Sequence, residues 1–393
     1  MATILFAWEL GANLGHLIPI LHIVRRLDAG HRCVFAVRDV AYARSVLGPQ
    51  AEIVQAPLWP QHRHFGAASG GLASYVDILA AIGFADPLKL AAVAGAWRSL
   101  IGLIAPDIVV ADHSPGLLVA LYRRDVPVVA VGTGFTMPPV DYDRFPPLRG
   151  DLPPAIPEGR LFEAIRDACS LIGAPRPHGP MEVFRTPHRV VFGLPELDPY
   201  QSFRREPVVA PPGGLPPTMR WPPARRLFVY AGSEIENFDA MLQGLATVSV
   251  PLEVYLRGDA APAREFLRLR GATVHDEPPD LADVLLLASH VLSQGGAGTT
   301  AAAFTAGRPQ LVMAQHDEAL LNLDLLNRHG VARRLEGSSE AATVTAAIEA
   351  FLADPLLPDN ALDAANRIAR RTLPDGGVVA AEIIRSLPAQ PAH

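Results

Sequence analysis

The chain has 393 residues, with 34 basic and 40 acidic side chains and a formal charge of −6. All of the basic residues except Lys89 are arginine, and no Gly-Lys pair precedes Ser or Thr, which excludes a P-loop. The scarcity of lysine also argues against Schiff-base chemistry, and the mild acidic balance argues against broad nucleic-acid binding.

Short apolar runs alternate with helical patterns through the first half of the chain. The predicted strands are 3–7, 33–37, a weak strand at 53–54, 107–111 and 126–131. Apolar residues at helical spacing predict a helix over 17–27, with Gly30 as its stop, and a second helix over 117–122. Continuous apolar strands that alternate with helices indicate a parallel sheet covered on both faces.

Of the 38 prolines, 14 lie in two short segments. Residues 136–160 are rich in proline and lack periodicity, which predicts a long ordered loop or a lid. A second cluster over 207–223 predicts an extended, semi-rigid linker with little helix.

After the second proline cluster the α/β pattern restarts. The predicted elements are strands at 227–231, 252–256 and 310–314, helices at 238–246 and 263–269, and an apolar run over 284–292 that leads into a glycine-rich turn. We therefore expect an α/β protein with two Rossmann-like domains. The expected boundaries are a first domain over 1–206, a linker over 207–223, a second domain over 224–372, and a C-terminal helix and tail over 373–393, for which packing back on the first domain is one arrangement.

The composition points to a protein without disulfides, zinc or membrane spans. Cys33 and Cys169 stand alone, outside any CxxC or Cys/His spacing. The N-terminus has no basic segment typical of a signal peptide, and charged residues such as Arg123 interrupt the apolar runs before they reach about 18 residues. We expect a cytoplasmic monomer or homodimer without transmembrane segments, with peripheral membrane contact left open.

The second half of the chain carries a glycine-rich turn between a strand and an alanine-rich helix. The sequence from Leu292 is Leu-Ser-Gln-Gly-Gly-Ala-Gly-Thr-Thr-Ala-Ala-Ala-Phe. Glycines let backbone amides approach a ligand closely, and a helix N-terminus offers unsatisfied N–H groups and partial positive charge. The pattern favours a phosphate or diphosphate site; the alternative is a tight turn whose glycines serve only packing.

The first half has a corresponding turn after its first strand, Gly11-Ala-Asn-Leu-Gly15-His16-Leu-Ile-Pro19. Its glycine spacing does not fit the dinucleotide fingerprint GxGxxG. His16 falls at the carboxyl edge of the predicted sheet, where its near-neutral pKa suits a general base. The alternative is a histidine that only caps the helix or packs in the core.

A carboxylate ends another predicted strand at the same edge, in Pro106-Asp-Ile-Val-Val-Ala-Asp112. An aspartate beside His16 would fix the imidazole tautomer and stabilise the imidazolium. The alternative is that Asp112 caps the helix that follows.

These motifs together resemble the family 1 glycosyltransferases, of the macrolide and plant UDP-glycosyltransferase type. The resemblance rests on Gly15-His16-x-x-Pro19, on Pro106-Asp-x-Val-Val-x-Asp112, and above all on the stretch 293–322, which includes Gly307-Arg-Pro309. It covers both halves in the same order. The family has the GT-B architecture, in which two Rossmann-like domains with parallel sheets face each other across a cleft, so the resemblance implies that fold here.

The resemblance also implies roles for individual residues. His16 corresponds to the base on the acceptor hydroxyl, and Asp112 to its partner. The donor phosphates would be bound by Ser233, Gln294, Gly295, Gly296, Ala297, Gly298 and Thr299, and the donor sugar by Asp317 and Glu318. A weaker expectation places Trp8, Asn13, Phe65 and Phe135 in the acceptor pocket. The implied reaction inverts the anomeric carbon without a metal or other cofactor, and UDP or dTDP is the expected donor nucleotide.

Three positions depart from the family pattern and leave the donor open. Gln294 stands where the family has a histidine before the paired glycines, so it can donate a hydrogen bond to phosphate but carries no charge. Ala319 replaces a glutamine that holds sugar hydroxyls, and Ala302 replaces a ribose-binding glutamate of the plant members. Without a lysine near the turn, a diphosphate must rely on amides, a helix end, Gln294 and, as one further possibility, an arginine.

The leading hypothesis is therefore a glycosyltransferase, of the hexosyltransferase class, that moves a sugar from a nucleoside diphosphate to a hydroxyl of a small lipophilic acceptor. That acceptor could be a natural product, a phenolic compound or a lipid. Two alternatives stay open: a nucleotide-sugar epimerase on the same fold, and a non-catalytic partner protein that binds nucleotide sugars.

Overall fold

The structure is a computed structural model that describes residues 2–11, 14–59, 72–150 and 152–388. The chain divides into two compact units. The first contains residues 1–214 and 373–393, and the second contains 215–372. The division falls inside the proline-rich segment 207–223.

The first unit is built on a seven-stranded parallel sheet with the order β3-β2-β1-β4-β5-β6-β7. Its strands are β1 (Thr3–Trp8), β2 (Arg32–Val37), β3 (Glu52–Gln55), β4 (Ile108–Asp112), β5 (Val128–Thr133), β6 (His188–Phe192) and β7 (Val208–Val209). In β4 every residue is buried. Such continuous burial needs cover on both faces, which explains why the strands read as unbroken apolar runs.

Helices cover both faces of this sheet. They are α1 (Leu14–Val24), α2 (Val40–Leu47), α3 (Tyr75–Ile82), α4 (Pro87–Ile104), α5 (Pro115–Leu121) and α6 (Glu158–Leu171), with a C-terminal helix, Gly376–Ser386, in the same unit. The helix expected over 17–27 ends early, because the amides of Arg26 and Leu27 bond carbonyls three residues back. The segment expected as a loop over 136–160 ends where α6 begins.

One of the described helices, α4, is long and apolar enough to cross a membrane by length and composition. Its 18 residues include two charged side chains, Lys89 and Arg98. An apolar segment interrupted by charged residues was not counted as a span in the sequence. In the structure α4 packs against α5 and α6, and the Trp97 side chain on α4 is fully buried. Its apolar face is therefore a core face of the first unit.

The second unit is built on a six-stranded parallel sheet with the order β10-β9-β8-β11-β12-β13. The strands are β8 (Leu227–Gly232), β9 (Leu252–Arg257), β10 (Thr273–His275), β11 (His290–Ser293), β12 (Gln310–Val312) and β13 (Ala332–Arg334). The helices are α7 (Phe238–Leu245), α8 (Ala261–Leu269), α9 (Leu281–Leu287), α10 (Ala297–Thr305), α11 (Asp317–Arg328), α12 (Ala341–Ala353) and α13 (Leu356–Ile368); the C-terminal helix of the first unit is then α14.

Two sequence expectations change in this part of the chain. The apolar run over 284–292 combines most of α9 with β11, because periodicity alone does not separate a buried helix end from a short buried strand. The proline-rich segment contains β7, which pairs with β6 in the first unit. Later in the same segment, the carbonyl of Arg220 accepts a hydrogen bond from Nη2 of Arg308 at 2.9 Å. This hydrogen bond ties the part of the segment around Arg220 to the second unit.

Candidate active site

The first candidate site lies at the carboxyl edge of the first sheet. The strand order reverses between β1 and β4, and open parallel sheets bind ligands at such reversals. β1 and β4 are paired, with Trp8 opposite Asp112 in the register. His16 lies at this edge because α1 follows β1 through a short turn.

His16 and Asp112 form a hydrogen-bonded pair. The distance from His16 Nδ1 to Asp112 Oδ2 is 3.0 Å, and the two side chains are 14% and 6% exposed. A carboxylate only accepts hydrogen bonds, so this contact places the imidazole proton on Nδ1 and leaves a lone pair on Nε2. The arrangement is that of a histidine base oriented by an aspartate.

Aromatic rings and a glycine hold the His16 ring in place. The ring stacks on Trp8 with centroids 5.3 Å apart and faces the ring of His113 at 6.1 Å. Gly11 has a φ of +91° and packs against the Nε2 side of the ring, where a Cβ would collide with it. Arg38 donates to the Gly11 carbonyl at 3.1 Å. The turn between β1 and α1 therefore requires glycine at position 11.

Behind this pair lies a buried carboxylate that the sequence analysis did not identify. Glu9 accepts hydrogen bonds from the indole N–H groups of Trp59 and Trp97, at 2.5 and 3.0 Å, and from the amides of Gly116 and Leu117, at 3.1 and 3.0 Å. Burial raises its pKa to about 7, against the lowering effect of these four donors. A glutamate in an otherwise apolar strand end, Phe-Ala-Trp-Glu-Leu, was the available signal.

His113, the residue after Asp112, was also missed. It has a φ of +41° and is 9% exposed, and neither ring nitrogen has a hydrogen-bond partner among the described residues. Burial, and secondarily the charge on His16, lowers the pKa of His113 to about 3. Its imidazole is therefore neutral at ordinary pH.

The second candidate site lies at the corresponding reversal in the second sheet, between β8 and β11. The glycine-rich turn follows β11 directly. Gly295 has a φ of +76°, and a Cβ there would lie 2.8 Å from Val312 and 3.0 Å from the Ala319 Cβ. Asn322 donates to the Gly295 carbonyl at 2.8 Å. Gly295 is thus required by both backbone conformation and close packing.

The next residues present backbone amides at the start of α10. Gly296 is the N-cap and gives no side-chain hydrogen bond, so the first amides of the helix have no capping side chain. Gly296 and Gly298 are exposed, with no atom within 4 Å of a Cβ built on either residue. Thr299 is buried in the first turn. These amides and the positive end of the helix dipole suit an anion.

Side chains from two neighbouring strand ends border this turn. Ser233, after β8, donates its amide to the Arg257 carbonyl at 3.1 Å, and its Oγ faces the Cα of Gly258. Arg257 forms an ion pair with Glu234 and lies 3.5 Å from Oε1 of Gln294. Arg257 brings a positive charge next to Gln294.

The two predicted sugar-binding carboxylates begin α11. Asp317 is buried and Glu318 is half-buried. His316 caps the helix, with its Nδ1 accepting from the Ala319 amide at 3.3 Å. The start of α11 therefore packs against Gly295, through Ala319, and lies beside the glycine-rich turn.

The remaining predicted site residues are placed as follows. Phe135 is half-buried and packs against the main core of the first unit. Asn13 and Phe65 lie outside the described residues. Within the described ranges, no group of three or more His, Cys, Asp or Glu side chains has the arrangement of a metal site.

Solved structures of glycosyltransferases are similar to this chain over its whole length. CalG4, the calicheamicin glycosyltransferase, is 21% identical, with 100% of this chain and 99% of CalG4 covered and a TM-score of 0.66. SnogD from Streptomyces nogalater is 19% identical, with 98% and 99% covered and a TM-score of 0.59.

A third example is the spinosyn rhamnosyltransferase SpnG, which is 16% identical, with 98% of this chain and 100% of SpnG covered. Its TM-scores are 0.63 in complex with spinosyn aglycone and 0.64 in complex with thymidine diphosphate. No protein-family model and no curated protein matches the sequence. The fold class expected from the sequence is confirmed: the chain has the GT-B fold of these glycosyltransferases, with two parallel-sheet α/β units.

Proposed function

We propose that the chain is a glycosyltransferase that moves a sugar from a nucleoside diphosphate to a hydroxyl of a small lipophilic acceptor. The observation that carries the proposal is the 3.0 Å contact between His16 and Asp112 at the strand-order reversal of the first sheet. A base alone does not define the reaction. The amide-rich turn at the equivalent reversal of the second sheet adds an anion site of the kind that a diphosphate needs.

In the proposed reaction, His16 Nε2 takes the proton of the acceptor hydroxyl as the oxygen attacks the anomeric carbon. The bond between that carbon and the diphosphate breaks, and its electron pair leaves with the diphosphate. Attack from the face opposite the leaving group inverts the anomeric carbon. Asp112 stabilises the imidazolium that forms on His16.

Groups of the second unit stabilise the negative charge that develops on the departing diphosphate. The Gly295 amide already donates to Ser293 Oγ, so the amides of residues 296–299 and the N-terminus of α10 supply the partial positive charge where the negative charge develops. Gln294 donates a hydrogen bond, and Arg257 supplies the charge that Gln294 lacks, once a phosphate competes with Glu234 for its guanidinium. Asp317 and Glu318 accept hydrogen bonds from the sugar hydroxyls. In this proposal no metal is needed for leaving-group departure.

UDP and dTDP are the proposed donor nucleotides. The complex of SpnG with thymidine diphosphate supports this choice, and its complex with an aglycone supports a hydrophobic natural-product acceptor. Location in the cytoplasm and a monomeric or homodimeric state stay predictions from the sequence.

The test is transfer by wild type and His16→Ala with UDP-, dTDP- and GDP-glucose, alongside thermal shift with each donor. We expect His16→Ala to lose about 10²–10⁴-fold in transfer rate, the contribution of a general base, while keeping the donor-induced thermal shift. Normal turnover by His16→Ala would contradict the role of His16. An isomerised donor would indicate an epimerase, and binding without turnover a non-catalytic partner.

The matched control is His31→Gln. His31 precedes β2, so it lies at the amino edge of the same sheet, opposite the edge that carries His16. This variant should retain wild-type transfer.

A further inference from the structure

A small cavity lies beside the His16–Asp112 pair, within the first unit. It occupies about 30 Å³ and lies at the carboxyl ends of β4 and β5. Its lining includes Tyr75, His113, Met137, Phe184 and Arg189. His113 contacts both the His16 ring and the cavity, so the cavity lies one side chain away from the candidate base.

Two polar side chains that line the cavity differ in their hydrogen bonds. Arg189 donates to a Glu206 carboxylate oxygen at 2.7 Å and to the carbonyls of Phe184 and Pro138 at 3.2 and 2.8 Å. His113, by contrast, is more than nine-tenths buried and has no partner on either ring nitrogen among the described residues. Buried polar groups in native proteins are nearly always hydrogen-bonded. A missing partner here indicates a ligand or water at His113.

Size and polarity restrict what this partner can be. A cavity of about 30 Å³ has room for one or two water-sized groups, such as a hydroxyl or carbonyl oxygen. A neutral imidazole has one donor and one acceptor nitrogen, which matches an oxygen substituent and disfavours an ion. The walls supplied by Tyr75, Phe184 and Met137 favour an aromatic or otherwise apolar attachment for that oxygen.

We propose that His113 binds a second oxygen of the acceptor, close to the hydroxyl that His16 deprotonates. The His16 and His113 rings are nearly parallel, with centroids 6.1 Å apart, and each hydrogen bond spans about 3 Å. One small acceptor can therefore reach both rings, and an ortho-dihydroxy aromatic compound is the simplest acceptor that carries two neighbouring oxygens. This inference rests on the proposed function and narrows the acceptor to compounds with paired oxygen substituents.

The φ of +41° at His113 determines the choice of variants. Glycine adopts this conformation without strain, so His113→Gly removes the imidazole and spares the backbone. Asparagine also tolerates it and keeps a donor and an acceptor, so His113→Asn tests for partial rescue. Ala105→Gly is the matched control, since Ala105 has a φ of +48° in the same unit and does not line the cavity.

The probes are catechol and phenol, which differ by one hydroxyl. Dissociation constants are measured by NMR of protein labelled with ¹⁵N at histidine, without donor. We expect wild type and Ala105→Gly to bind catechol about tenfold more tightly than phenol, with catechol shifting the His113 ring-nitrogen resonances. We expect His113→Gly to lose that preference and His113→Asn to regain part of it.

Several results would overturn the proposal: failure of wild type to bind catechol, equal affinity for the two probes, or an unchanged preference in folded His113→Gly. The last result would assign the cavity to an ordered water. If His113 only supported His16, the affinities for catechol and phenol would change together in His113→Gly, and the ratio of the two dissociation constants would stay constant.

Transfer from dTDP-glucose and UDP-glucose to the same two probes separates this inference from the proposed function. A catechol preference that depends on His113, without transfer to either probe, supports the binding role and counts against the transferase. Transfer to both probes with a ratio insensitive to His113 supports the transferase and overturns the role of His113.

Discussion

The carboxylate of Glu9 shows how one buried residue organises the surroundings of the candidate base. Its Oε1 accepts from Trp59 and Gly116, and its Oε2 accepts from Trp97 and Leu117. Glu9 thereby ties the segment after β3, helix α4 and the start of α5 to the end of β1. It immediately follows Trp8, the ring on which His16 stacks. Glu9 is a positioning residue for this edge of the sheet.

We predict that Glu9→Gln destabilises the first unit by about 3 kcal/mol. An amide has one oxygen in place of two, so two of the four N–H donors would face an NH₂ group and lose their acceptor. Each unsatisfied buried donor costs about 1–3 kcal/mol. Urea unfolding followed by tryptophan fluorescence measures the change.

The control for this change is Glu52→Gln. Glu52 forms an exposed ion pair with Arg32, and such pairs contribute about 0–1 kcal/mol. Equal stability of Glu9→Gln and Glu52→Gln would refute the role assigned to Glu9.

At the scale of elements, the turn from β11 to α10 combines two kinds of glycine. Gly295 is buried, adopts a left-handed conformation and contacts β12 and α11. Gly296 and Gly298 are exposed, with open space where a Cβ would lie. The first kind builds the turn, and the second kind leaves the amides of the helix N-terminus accessible to a ligand.

We predict that Gly295→Ala lowers the stability of the second unit by about 3 kcal/mol, combining left-handed strain with overpacking.

Gly298→Ala should keep the melting temperature of the free protein, because its methyl group meets no neighbouring atom. It should reduce the thermal shift caused by dTDP, since that methyl group occupies space needed for close approach to the amides. Scanning calorimetry with and without dTDP measures both effects; a stable Gly295→Ala protein would contradict the packing argument.

At the scale of the whole molecule, each unit buries a neutral histidine. Burial lowers the pKa of His113 in the first unit to about 3 and that of His290 in the second unit to about 4. The unfolded chain titrates these groups near 6.5, so between about pH 4 and 6.5 unfolding takes up two protons and stability falls as the pH falls. Glu9 acts in the opposite sense between 4.5 and 7, where the folded protein holds a proton that the unfolded chain lacks.

For His113, His290 and Glu9 together the net uptake is about one proton, which lowers stability by about 1.4 kcal/mol per pH unit from pH 6.5 to 4.5, and the lowered pKa of His22 adds to the fall. The melting temperature, measured over this range, should fall accordingly. His290→Asn should weaken the dependence by removing one of the protons taken up, and Glu9→Gln should steepen it by removing the opposing titration. A pH dependence identical in all three proteins would contradict these assignments.

The candidate site residues were easier to find in the sequence than the residues that surround them. His16, Asp112 and the 294–299 turn carry their signal in the chain because each directly follows or ends a recognisable strand. Glu9 and His113 also follow strands directly, but their roles depend on partners such as Trp97, 88 residues away from Glu9 in the sequence. Arg257 likewise becomes relevant because β9 and β11 end at the same edge of one sheet.

The sequence by itself determined the parallel α/β architecture and the alternation of its elements, because continuous apolar strands and helical periodicity are local patterns. It also indicated where the turns after β1 and β11 lie, because Gly11 and Gly295 adopt left-handed conformations that favour glycine. Only the tertiary structure decided that Asp112 pairs with His16 instead of capping α5, that Glu9 has four N–H partners, and that His113 faces a cavity. Those outcomes depend on contacts between distant segments, which strand order and side-chain packing create.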